Sequence, residues 1–168
     1  MESGVVSWRI GSRRRGRPLL AAGLALAFAA PLPAAAASLR EQERSVLNGV
    51  NAARSEHGLP PVTPSARLER SARFHSRDMV ARSYFAHGPF WQRMLRFGAR
   101  GPRLGEDLAW TAVSKDATET VLRLWLASPT HRAVLLRPGF RRVGIGVAAG
   151  PFMGFQRATI VTADFEGT

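Results

Sequence analysis

Histidine is the residue type that best equips this chain for chemistry, because cysteine is absent and four histidines are present. A neutral imidazole binds zinc and other divalent metals, and it also acts as a general base near neutral pH. The absence of cysteine excludes disulfide scaffolds, thiol nucleophiles and cysteine-ligated metal sites. The histidines are His57, His75, His87 and His131, and their spacing matches no compact metal motif such as H-E-x-x-H. Their chemistry therefore depends on the elements that position them.

Two histidines are predicted to have structural roles, and two remain for chemistry. His75 falls within the apolar stripe of a predicted helix, so we expect a packed, hydrogen-bonded core residue. His57 precedes Gly58 at the end of an earlier helix, where a cation is favoured by the helix dipole. His87 and His131 each lie in a predicted turn.

Apolar side chains at helical intervals predict a run of helices after residue 37. A capping box, Ser38 to Glu41, marks the start of the first helix, and glycines and prolines mark the later boundaries. The glycine-rich stretch around 98–105 is predicted to be a loop. The predicted helices open at Ser38, at Thr63, at Phe90 and near Ala117, and the first, third and fourth end before Gly58, at Phe97 and before Pro129.

The last third of the chain changes from helical to strand periodicity. Val143 to Val147 alternates larger and smaller side chains, and Ala158 to Phe165 is rich in β-branched residues. Two strands joined around Gly150-Pro151 are the simplest interpretation. Because helices come first and strands later, we predict an α+β fold, a sandwich built on an antiparallel sheet.

The first 37 residues have the composition of a secretory signal. Five arginines precede a short apolar run, Leu19 to Ala30, and the alanines at 35 and 37 form a small-residue cleavage pattern. A transmembrane helix needs about 20 apolar residues, so we expect no permanent membrane anchor. We predict a signal peptide over 1–37 with cleavage near Ala37, one domain over 38–168, and a periplasmic or extracellular location.

Positive charge dominates the chain, with 24 Lys or Arg against 12 Asp or Glu and a net charge of +12. Such a surface is compatible with anionic lipid or an acidic envelope polymer, although a solvated face is the simpler explanation. Nucleic acid is not expected, because aromatic residues are not interleaved with the arginines. The arginines form two clusters, which are Arg67, Arg70, Arg73 and Arg77, and Arg132, Arg137, Arg141 and Arg142.

A set of motifs in order resembles the CAP superfamily, also called SCP-like, and most closely its bacterial secreted branch. The family includes cysteine-rich secretory proteins, venom allergens and plant pathogenesis-related proteins. The resemblance covers 45–165 and implies an αβα sandwich. The motifs are Leu47-Asn48 with Asn51 and Arg54, Gly58-Leu59, Phe85-Ala86-His87, Gly105 to Ala109, Trp125 to Arg132, and Val143 to Val147.

The resemblance also implies a site. In this family two histidines and two acidic residues line a central cleft, and the histidines can hold a divalent metal such as zinc. Matched by motif, His87, Glu106 and His131 fall in that cleft, with His87 and His131 as the metal ligands. Ser128 stands at the fourth position, which is acidic in the eukaryotic branch, and Asp107 replaces the usual asparagine.

Three functions stay open on the sequence. The first, which we expect, is a secreted binding module whose cleft takes a lipid or cell-envelope ligand, without enzymatic activity. The second is a metal-assisted extracellular hydrolase of protease type that uses the same cleft. The third is adhesion of the arginine-rich surface to anionic envelope polymers. A serine hydrolase is not expected, because Ser128 lies in no G-x-S-x-G elbow and is better explained as a helix-ending residue.

Overall fold

The computed structural model describes residues 34–112 and 116–168, so most of the predicted signal peptide lies outside the described residues. Within this part of the chain no helix is both long and apolar enough to cross a membrane. The elements are α1 Ala34–Glu56, β1 Thr63–Pro64, α2 Ala66–Arg82, α3 Phe90–Arg96, β2 Arg103–Thr111, α4 Ala117–Ala127, α5 Pro129–Leu135, β3 Phe140–Phe152 and β4 Phe155–Gly167.

The strands form one sheet in the order β1-β3-β4-β2. β4 pairs antiparallel with β3 on one side and with β2 on the other, while β1 pairs parallel with β3. The predicted α+β class with a mainly antiparallel sheet is confirmed. The β3–β4 turn lies at Met153 and Gly154, which both have positive φ. It therefore falls three residues beyond the predicted turn at Gly150, because both strands are longer than the alternation suggested.

Helices cover both faces of the sheet and make it an αβα sandwich. On one face α1, α4 and α5 pack on the strands. On the other face α2 lies along β3 and β4, and α3 packs beside α2. Trp125 is fully buried in the first core. The second layer of core residues includes Leu68, Met79, Met94, Leu108 and Ile160.

Three element boundaries differ from the sequence prediction. The alanines before Ser38 extend α1 back to Ala34, because alanine has the highest helix propensity, so Ser38 lies inside the helix. α2 begins at Ala66, because Thr63 and Pro64 pair with β3 instead. The loop predicted around 98–105 is shorter, because β2 begins at Arg103.

Gly144 and Gly146 place α2 directly on the sheet. A Cβ at Gly144 would overlap the backbone at Leu68 and Glu69, and one at Gly146 would overlap the backbone at Ala72 and Arg73. Close packing of this kind leaves no room for a side chain. The two glycines therefore set the distance between α2 and β3.

Arg54 ties together four segments of the chain from a fully buried position at the end of α1. Its guanidinium donates to the carbonyl oxygens of Pro60, Leu135, Arg137 and Phe140. These carbonyls belong to the connector before β1, the end of α5 and the start of β3. Burial, followed by the charge of Arg141, lowers the pKa of Arg54 below its usual value. The side chain is thus a buried cation held by main-chain oxygens.

Candidate functional site

The centre of the candidate site is a hydrogen bond between His87 and Glu106. His87 Nδ1 lies 2.7 Å from Glu106 Oε1, with the imidazole 57% exposed and the carboxylate only 2% exposed. The bond occupies Nδ1 and leaves Nε2 as the ring nitrogen for a ligand. The structure therefore brings together these two residues, which the family resemblance had assigned to one cleft.

Arg93, a residue of α3, contacts the buried Glu106 carboxylate on the oxygen that His87 does not use. Glu106 lies opposite Asp164 in the β2–β4 register, so both carboxyl groups are on the α2 side of the sheet. Arg93 Nη2 contacts Glu106 Oε2 and lies 3.3 Å from Asp164 Oδ1. Burial and the charge of Glu106 raise the pKa of Asp164, which favours its neutral form. One buried cation therefore neutralises one buried carboxylate.

Arg93 also joins the cleft loop to the helices. Its Nη1 donates to the carbonyl oxygen of His87 at 3.2 Å, and its Nε donates to Ser71 Oγ at 3.3 Å. The same side chain thus fixes the His87 backbone and the Glu106 carboxylate. Sequence reasoning missed both Arg93 and Asp164. The signal in the sequence was a charged residue within a largely apolar segment: Arg93 among the large side chains of α3, and Asp164 among the apolar residues of β4.

A second imidazole, that of His75, lies buried behind His87 and Glu106. It is 2% exposed, as predicted for a packed core residue, and its Nε2 lies 3.0 Å from the carbonyl oxygen of Ala86. The same nitrogen lies 3.8 Å from Glu106 Oε2. Burial and then the charge of Arg93 lower the pKa of His75, so its neutral form is favoured. His75 therefore supports the loop that carries His87.

His131 lies in the helix α5 instead of the predicted turn, close enough to His87 for the charge of one imidazole to affect the other, while Ser128 is engaged elsewhere. Burial and then the charge of His87 lower the pKa of His131, whereas the hydrogen bond that His87 donates to Glu106 raises the pKa of His87. The two imidazoles therefore favour different protonation states. Ser128 ends α4, as predicted, and its Oγ lies 3.0 Å from Thr130 Oγ1.

A metal ion in this cleft would have His87 and His131 alone as its histidine ligands. Among the described residues, no group of three His, Cys, Asp or Glu side chains is arranged to hold a metal ion. Both oxygens of Glu106 are already engaged, one by His87 and the other by Arg93. Glu106 is therefore placed to orient the His87 ring rather than to bind a metal ion itself; carboxylates often stand in this position behind the histidines of zinc sites.

Asp107 faces away from this cluster and has an unusual environment. It is fully buried, and neither carboxyl oxygen has a hydrogen-bond partner within the described part of the chain. Burial, with a smaller contribution from the charge of Glu106, raises the pKa of Asp107 to about 8. The carboxyl group is therefore mostly protonated at neutral pH.

β2, which carries both Glu106 and Asp107, was not predicted as a strand. Acidic residues and glycine are depleted in strands, so the sequence Arg103–Thr111 has no strong strand signal. Pairing with β4 along its whole length overrides that weak propensity. The strand places consecutive acidic residues on opposite faces of the sheet, because side chains alternate along a strand.

Comparison with known proteins agrees with this fold. The model of the cysteine-rich secretory protein family, CAP, matches residues 47–165. The chain therefore belongs to the CAP family, and the resemblance read from its motifs is confirmed.

Three bacterial proteins illustrate the similarity. YkwD, an uncharacterized protein of Bacillus subtilis (strain 168), is 32% identical over 117 residues, which are 67% of this chain and 44% of YkwD. An extracellular SCP-domain protein from Bacillus anthracis str. Ames has a TM-score of 0.67 at 24% identity, covering 83% of this chain and 45% of that one. An outer surface protein from Borrelia burgdorferi has a TM-score of 0.61 at 17% identity, covering 77% of this chain and 95% of that one. The chain thus spans less than half the length of the two Bacillus proteins.

Proposed function

We propose that the protein is a secreted binding module whose cleft, formed by His87, Glu106 and His131, takes a polar group of a lipid or other cell-envelope ligand. The observation that carries this proposal is the 2.7 Å bond from an exposed imidazole to a buried carboxylate that Arg93 locks in place. Such a preformed, half-exposed polar group lowers the cost of ordering a site on binding. The extracellular Bacillus anthracis relative supports export of this chain as well.

The two imidazoles suit a ligand that carries an acidic or hydroxyl group. With its pKa raised, His87 more readily carries a proton to donate, and His131, with its pKa lowered, more readily accepts one. The cleft therefore offers a donor and an acceptor side by side.

The binding proposal predicts that replacing both cleft histidines removes the bound ligand. Protein recovered from its own host should carry an envelope molecule detectable by native mass spectrometry. The H87A/H131A variant should retain it at a level at least about tenfold lower, since each lost polar contact costs about 1 kcal/mol or more. H57A is the matched control, because His57 bonds to Ala53 and Arg132 rather than to the cleft. Equal retention by the double variant and H57A would refute the cleft assignment.

A metal-assisted hydrolase using the same cleft is the competing function, and Glu106 distinguishes the two. If Glu106 were a general base, E106Q would lower peptide hydrolysis by about 100-fold or more. We expect instead no cleft-dependent hydrolysis in either protein. Circular dichroism of E106Q checks that the variant still folds, because the substitution leaves the buried Arg93 without its carboxylate partner. Zinc added to dialysed protein should bind through His87 and His131 and should not bind H87A/H131A. Hydrolysis that collapses in E106Q would favour the enzyme.

The third function, adhesion of the predicted arginine clusters to anionic polymers, draws less support from the structure. Arg67 pairs with Glu166, and Arg73 pairs with Glu43 and Glu69. These contacts commit half of the first cluster to holding α2 against its neighbours. Arg70 and Arg77 remain exposed on the same helix.

A further inference from the structure

The outer face of α3 presents two large apolar side chains to solvent. Trp91 is 57% exposed and Leu95 is 63% exposed, and they lie one helical turn apart. Arg93 and Met94 occupy the opposite, buried face. α3 therefore has a packed inner face and an outer face with two apolar side chains. None of the described residues covers this outer face.

The stretch that carries this apolar pair contains arginines and no acidic residue. Between Asp78 and Glu106 the sequence has no Asp or Glu. Arg96 lies on the outer side of α3, and its guanidinium stacks 5.6 Å from the ring centroid of Phe74 on α2. The arginines of the stretch are Arg82, Arg93, Arg96, Arg100 and Arg103, of which Arg93 is buried and Arg103 contacts the carbonyl oxygen of Thr168.

A cavity of about 390 Å³ opens beside α3 and extends this surface. Its walls combine the apolar side chains of Phe74 and Pro89 with the guanidinium groups of Arg82 and Arg96. The carboxylate of Asp78 also lines it, accepts a 2.6 Å hydrogen bond from Tyr84 and pairs with Arg82 at 3.4 Å, so Arg96 is the exposed cation of the lining that carries the argument. The cavity therefore provides both apolar contact and cations at its lining.

We propose that this α3 surface, defined as Phe74, Trp91, Leu95 and Arg96, docks on an anionic phospholipid bilayer. Exposed tryptophan and leucine enter the boundary between headgroups and acyl chains, and arginine at the same level binds lipid phosphate. A soluble polyanion would use the arginines but would leave Trp91 and Leu95 in water. The α3 surface uses neither His87 nor His131, so it goes beyond the proposed function and is tested separately.

The absence of cysteine allows a direct test with single labels on the full chain. Q92C, on the outer side of α3, and Q156C, on β4, are both exposed positions that can carry an environment-sensitive fluorophore. On vesicles of phosphatidylcholine with about 30% phosphatidylglycerol, the Q92C label should shift to the blue and brighten, because anionic lipid attracts the arginines. The Q156C label should not respond. Because both proteins carry the apolar run over 19–30, tethering through that run does not produce the difference.

Substitution of the apolar pair completes the test. W91S/L95S should lower the fraction of Q92C label in the bilayer about tenfold or more, because two large apolar groups no longer enter the lipid. M153S/F155S is the matched control, since these side chains are 47% and 48% exposed on the β3–β4 turn. It should bind like the parent protein. The proposal fails if the Q92C label stays in water, responds equally to pure phosphatidylcholine or to soluble polyphosphate, or is unaffected by W91S/L95S.

Discussion

R54M is expected to destabilise the fold by about 4 kcal/mol, because four main-chain oxygens lose the charged donor that satisfies them. Methionine has similar length but donates no hydrogen bond. The stability of R54K should lie between that of the parent protein and that of R54M, because an ammonium group has fewer donors than a guanidinium and cannot reach four carbonyls at once. Urea denaturation followed by circular dichroism measures these differences.

Arg44 provides the control for the Arg54 prediction. It lies on the same helix but is exposed, so R44M should change stability by no more than about 0.5 kcal/mol. If R54M and R44M unfold at the same urea concentration, the buried guanidinium does not hold α1, α5 and β3 together.

D107N is expected to stabilise the protein at pH 8 by about 2–4 kcal/mol and to have little effect near pH 4. The pKa of Asp107 is raised to about 8 in the fold, so the folded state keeps a proton that the unfolded chain releases near pH 4. Stability contributed by this group is therefore lost as pH rises from about 4 towards 8. Asparagine has the same shape and no charge to desolvate.

The measurement for D107N is the melting temperature across that pH range. The difference between D107N and the parent protein should grow with pH and level off above about 8. D116N is the control, because Asp116 is exposed and makes no side-chain cap hydrogen bond. A D107N difference that stays constant with pH would show that Asp107 is not protonated in the fold.

The sequence predicted the class of fold and the face of each long helix because burial follows apolar spacing. His75 is buried, as its place in the apolar stripe of α2 predicted. The family motifs pointed to His87 and Glu106. These residues are far apart in sequence and come into contact because the loop before α3, which carries His87, lies against β2, which carries Glu106. Spacing alone had no means of joining them, because the contact depends on the register of β2 with β4.

The buried charges were the part that sequence reasoning could not reach. Arg54, Arg93 and Asp164 look like solvated surface residues by composition, since charged side chains are rarely fully buried. Each is buried because a specific partner from a distant segment satisfies it. Such partners are set by tertiary packing and leave no periodic pattern in the sequence.

Gly144 and Gly146 show which inferences a family motif allows from one relative to another. Together with their neighbours they form one of the motifs that identify the family, yet their role is to admit the backbone of α2. These glycines leave space for the α2 backbone and contribute no side chain that could bind a ligand. A protein could lose both cleft imidazoles and still require these glycines to assemble the same sandwich. A match at this motif therefore transfers a scaffold between species, and the ligand has to be established from the cleft of each protein.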